Sequence, residues 1–120
     1  MPAGGEESQE WQGTQTLLLT TIDAESGAPR TTSLVYSRHG DRLMVIAAEG
    51  DSSEPPDWYR DLGAAPEADV EIRGETFRAR SRPAAYAEQA QMWEELVRDW
   101  PDYARYRDRK VPVIVLEPLH

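Results

Sequence analysis

The chain has 120 residues, 39% of them hydrophobic and 29% charged, a size and balance that fit one globular domain with one core. Its formal net charge of −9 excludes a nucleic-acid or anionic-membrane surface, since both need clustered Lys and Arg. There is no cysteine, and the two histidines, His39 and the terminal His120, lie too far apart to build a metal cluster, so no metal ligands are expected and a reducing, cytoplasmic setting is.

In chain order, residues 1–13 are polar and glycine-bearing and read as a loose N-terminal arm; residues 14–120 read as a single domain. No basic leader with an apolar stretch opens the chain, so no signal peptide is expected. Thr14–Ile22 (TQTLLLTTI) is rich in β-branched and apolar residues and predicts a buried strand. Asp23–Pro29 (DAESGAP) is turn chemistry. Arg30–Ser37 alternates and predicts a second strand, Arg38–Asp41 a hairpin loop around Gly40, and Arg42–Ala48 a third strand. A polar loop over Glu49–Pro55 leads to a short helix opened by Pro56 and carrying Trp58, Tyr59 and Leu62. Glu67–Arg73 and Glu75–Arg82 predict two strands joined at Gly74, with Arg78 and Arg80 on one face and expected to pair with Asp69 or Glu71 across the hairpin. In Ala84–Trp100, Tyr86, Ala90, Trp93, Val97 and Trp100 recur at helical spacing and predict a core-facing stripe. Pro101 ends that helix, Asp102–Arg109 predicts a shorter one, and Lys110–Glu117 a last strand that Pro112 marks as an edge or bulge. Strands linked mostly by hairpins favour a small antiparallel barrel with flanking helices.

Several of these segments together resemble the deazaflavin (F420)-dependent nitroreductase family. They are LLLTT (Leu17–Thr21), SGAPRTT (Ser26–Thr32) leading to Tyr36, PDWYRDL (Pro56–Leu62) with Pro66, TFRAR (Thr76–Arg80), Trp93, WPDYARY (Trp100–Tyr106) and VPVIVLEP (Val111–Pro118). The resemblance implies a mainly β, split β-barrel (FMN-binding-like) fold, and an oxidoreductase that uses F420 to reduce a small quinone, nitro or enone acceptor, working as a homodimer. It implies cofactor contacts at Ser26, Arg30 and Trp58, and a substrate side lined by Tyr36, Tyr103 and Tyr106, whose phenols can donate to an oxygen as charge develops.

The chain departs from the family where the anionic cofactor tail is usually met by Arg and Lys. Those positions hold Ala24, Glu25 and Ala28 in the first turn, and Glu49 and Glu54 in the loop before the short helix, leaving Arg30 of the basic set. About three such reversals shift tail binding by roughly 6 kcal/mol, or about four decades in affinity. Asp23, Glu25, Glu49 and Glu54 are therefore expected to form an acidic rim. If they crowd together, repulsion would raise some of their pKa values and suit one to acid–base work. A second function class follows from that expectation: a cofactor-independent isomerase or cyclase using a loop carboxylate and a tyrosine, or a plain ligand-binding protein on the same scaffold.

Overall fold

The computed structural model describes residues 16–48 and 54–119. The predicted beginning of the first strand at Thr14, the arm, Glu49 and His120 lie outside the described residues. Seven antiparallel strands form one sheet: β1 (Thr16–Ile22), β2 (Pro29–Val35), β3 (Ser37–His39), β4 (Arg42–Ile46), β5 (Glu67–Ile72), β6 (Glu75–Pro83) and β7 (Val113–Pro118), in the order β2-β1-β5-β6-β7-β4-β3. Helix α1 (Asp57–Ala64) follows β4, α2 (Tyr86–Asp99) follows β6, and a 3-10 turn (Pro101–Tyr103) leads into α3 (Ala104–Asp108). The sheet curls into the split barrel.

Buried residues fall into two clusters, one on each side of the sheet's central strands. Leu17, Leu19, Val70 and Ala79 join Leu43, Val45, Ile114 and Leu116 in the inner cluster, capped by Trp58 and Leu62 of α1. Met44, Ile46, Val113 and Val115 face the other way, onto Met92, Trp93 and Leu96 of α2 and Tyr106 of α3. Because β4 and β7 are buried on both faces, their sequences run apolar without alternation (RLMVI and VIVLEP).

This corrects four expectations. β7 is an interior strand, hydrogen-bonded to both β4 and β6, and starts at Val113; Pro112 precedes it and only its carbonyl is used, accepting from Ala47 N–H at 3.0 Å. The run Arg30–Ser37 is not one strand. It breaks at Tyr36, where the chain leaves β1 as a partner and pairs β3 with β4 instead, so the barrel has seven strands. The α2 core face is Met92, Trp93 and Leu96 rather than the stripe beginning at Tyr86 and Ala90; Tyr86 is 92% exposed. Arg78 pairs across the hairpin with Asp69 (3.0 Å) as expected, but its other partner is Glu67 (3.3 Å) rather than Glu71, and Arg80 also reaches Glu67.

The two tightest hairpins show the expected chemistry. Arg73 and Gly74 (φ 53° and 85°) link Ile72 to Glu75 as a two-residue turn whose positive φ values match strand twist. Gly40 (φ 66°) opens the equivalent turn between His39 and Arg42.

Candidate active site

The first turn is built around carboxylates. Asp23 Oδ1 accepts the amides of Glu25 (2.7 Å) and Ser26 (3.0 Å), its carbonyl accepts that of Gly27 (2.9 Å), and Ser26 Oγ accepts that of Ala28 (3.2 Å). The remaining amide, Ala24, donates to Asp61 Oδ1 at 3.1 Å. Asp61, on α1, is 2% exposed; its other oxygen takes the Thr21 hydroxyl and Arg30 Nε, both at 2.8 Å. Arg30 is also paired with Asp23 and with Asp57. Every amide of the turn and its one guanidinium are thus already held by groups of the chain itself. The amide bonds from Ser26 and Glu25 hold the Asp23 carboxyl below its ordinary value, with Arg30 adding to the effect. The expected acidic rim with raised pKa values is therefore corrected at Asp23, which is stabilised as an anion. Glu25 and Glu54 are exposed and Glu49 is outside the described residues.

A second locality lies at the other end of β2. Ser33, Leu34 and Val35, with Ile46 and Ala48, face Tyr103 and Tyr106 across a cavity of about 200 Å³. Leu34, Val35 and Ile46 of the strands supply apolar lining, and Ser33 of β2, Tyr103 of the 3-10 turn and Tyr106 of α3 supply polar groups. Trp100 stacks on Tyr103 (centroids 6.2 Å apart), and Tyr103 meets Tyr106 edge-on at 5.4 Å. Pro101 creates this ladder: it ends α2 and restarts the chain as a 3-10 turn, so the rings are offset rather than continuing the α2 face. Burial, and to a lesser degree Tyr106, pushes the Tyr103 phenol up to about 12.

The structure thus brings Tyr103 and Tyr106 together on one cavity, which the other expected site residues among those described do not line. Tyr36 is buried in the inner cluster, with its carbonyl accepting from Trp100 Nε1 at 3.2 Å. Trp58 belongs to the same cluster and anchors α1. Ser26 and Arg30 stand on the carboxylate-filled turn. Asp61 was missed by sequence reasoning. Its signal was the pair Asp57 and Asp61, one helical turn apart in a segment that must lie close to the only basic residue of the first turn.

A family model described as F420H(2)-dependent quinone reductase matches residues 1–118. The chain belongs to this family. An F420H(2)-dependent quinone reductase of Mycobacterium tuberculosis is 32% identical over 106 residues, covering 83% of this chain and 71% of the relative. Among solved structures, an F420-H2 dependent reductase (FDR-A) superposes with a TM-score of 0.77 at 27% identity, covering 86% of this chain and 94% of that one. A structure described as a domain-swapped dimer matches at a TM-score of 0.76 and 25% identity, covering 98% and 100%. These matches bear out the family and the split-barrel fold expected from the ordered motifs. They do not favour the cofactor-independent isomerase or carrier, and no described carboxylate lines the tyrosine cavity.

Proposed function

We propose that this quinone reductase family member reduces a small aromatic acceptor, of quinone type, with F420H2 as hydride source. The observation that carries the reading is the cavity lined by Tyr103 and Tyr106 in a chain of this family. Its lining pairs apolar side chains, Leu34, Val35 and Ile46, with phenols that suit an acceptor oxygen. The cofactor's anionic tail does not fit the first turn, where the amides and Arg30 are occupied by Asp23, Asp57 and Asp61.

When bound, F420H2 supplies a hydride; the chain supplies placement and hydrogen bonds. Tyr103, with its pKa raised to about 12, stays protonated at neutral pH and can donate to an acceptor oxygen throughout the reaction. The chain is read as a cytoplasmic homodimer, in keeping with the domain-swapped neighbour and the absence of cysteine. No helix among the described residues is long and apolar enough to cross a membrane.

The test is a titration with F420 at low and high salt. The reading predicts saturable binding that does not weaken as salt rises, because attraction between the tail and a cationic turn is missing. With the tail held away from this turn, Glu25→Lys should leave binding nearly unchanged. Absence of saturable binding at either salt concentration would contradict the reading.

A further inference from the structure

A cleft of about 450 Å³ is lined by α1, the end of β6 and the start of β7, and it shares no lining residue with the tyrosine cavity. Its size is that of a small-molecule site. Tyr59 and Leu62 of α1, Pro66, Pro83 and Ile114 supply apolar lining. Ser81 also lines it and is 9% exposed. Its amide is fixed to the Pro66 carbonyl at 2.8 Å, yet its hydroxyl has no hydrogen-bond partner among the described residues. Buried hydroxyls are ordinarily paired, so this one is left for a group that enters the cleft. Gly63 lines the cleft from the last turn of α1, and a Cβ there would meet nothing within 4 Å. Glycine is among the poorest helix formers, and here a side chain would narrow the cleft. The two cations at the cleft differ. Arg82 is neutralised by Glu88 and Glu117. Arg60 meets only Asp57 among the described residues, at 3.8 Å, too long for a hydrogen bond, and Asp57 already accepts from Arg30 at 3.2 Å.

We propose that this cleft binds a small hydroxylated aryl carboxylate, with its ring on the apolar lining, its carboxylate toward Arg60 and its hydroxyl paired with Ser81. The carboxylate follows from the loosely held positive charge of Arg60, and the ring from the apolar lining beside Tyr59. A serine hydroxyl both donates and accepts, which suits a phenol. The site is separate from the tyrosine cavity, and its assignment does not rest on the reductase reading.

The test is a fluorescence titration, without cofactor, using 6-hydroxy-2-naphthoate, its methyl ester and 2-naphthoate. The wild-type chain should bind the hydroxylated acid most tightly. Arg60→Gln should weaken the two acids about tenfold and leave the ester unchanged. Ser81→Ala should weaken the hydroxylated acid about fivefold and leave 2-naphthoate unchanged. Gly63→Leu should weaken all three by about tenfold or more while its circular dichroism stays that of the wild type. Tyr103→Phe should change none of them. A wild-type chain that binds no probe, or that binds the ester as tightly as the acid, overturns the proposal. So does a folded Gly63→Leu or Arg60→Gln chain that binds 6-hydroxy-2-naphthoate as the wild type does, or a loss confined to Tyr103→Phe, which would place the probe in the tyrosine cavity.

Discussion

Asp61 is the residue on which the first turn depends. It is buried, and its carboxylate satisfies the Thr21 hydroxyl, the Ala24 amide and Arg30 together. Removing one partner of a buried charge network strands the others, so Asp61→Ala should destabilise the fold by roughly 3 kcal/mol. Asp57 touches the same arginine from the surface, and Asp57→Ala should cost less than about 1 kcal/mol. Urea denaturation of both variants checks the contrast; equal losses would mean that Asp61 is not the hub. Its sequence signal, the Asp57–Asp61 spacing, is weak, because an acid on a short acidic helix looks like a solvated one until the turn is folded over it. Tyr103 gives a second residue-scale prediction. Its folded pKa of about 12 lies above the ordinary 10.0, so the fold favours the neutral phenol. The resulting stability is present below pH 10 and is lost as pH rises toward 12. Ultraviolet titration of tyrosinate should show a late-titrating phenol that is missing in Tyr103→Phe.

At the scale of elements, α2 begins at a salt-bridged cap. Glu88 accepts the Ala85 N–H at 2.7 Å and pairs with Arg82, which also holds Glu117 of β7. The Arg82 pairing, followed by the Ala85 bond, lowers the Glu88 pKa from 4.5 to about 2. A depressed carboxyl stabilises the fold above its unfolded pKa and loses that contribution as pH falls from 4.5 toward 2. Carbon-detected NMR should find Glu88 titrating near the bottom of that window, and Glu88→Gln should reduce the acid-dependent melting shift, leaving the share that Asp23 contributes. On α1, Trp58 fills the open end of the inner cluster, and Trp58→Ala should cost about 3–5 kcal/mol by leaving a cavity. The elements themselves were largely legible. The apolar runs of β4 and β7 were read as strands, although Pro112 suggested an edge where β7 is interior, and Arg73-Gly74 lay where a two-residue turn was needed. What sequence periodicity could not reveal was partner exchange. Arg30 to Ser37 alternates as one strand does, and only the pairing register shows that it changes neighbours at Tyr36. The α2 face was misjudged for a related reason: Tyr86 keeps helical spacing with Trp93, yet nothing among the described residues packs over it.

For the whole molecule, the ordered motifs pointed to the right family, and the acidic substitutions pointed to its altered end. In the fold, the two localities have different electrostatic character. The first turn is a closed arrangement of carboxylates around Arg30, whereas no described carboxylate lines the tyrosine cavity. The sequence alone could not assign Tyr36 and Tyr106 to different buried clusters, because that depends on the β2–β3 break and the restart of the chain at Pro101. The dimer reading predicts twice the 13.6 kDa chain mass by light scattering at tens of micromolar. A monomer mass would contradict it. The central claim is the hydride transfer itself. Its most direct measurement is anaerobic mixing of the chain with F420H2 and a small naphthoquinone, following oxidised F420 and hydroquinone together. The account predicts one hydroquinone formed per F420 oxidised, at a rate proportional to protein and lowered in Tyr103→Phe. Oxidation no faster than in the protein-free mixture, with F420 bound, would contradict it.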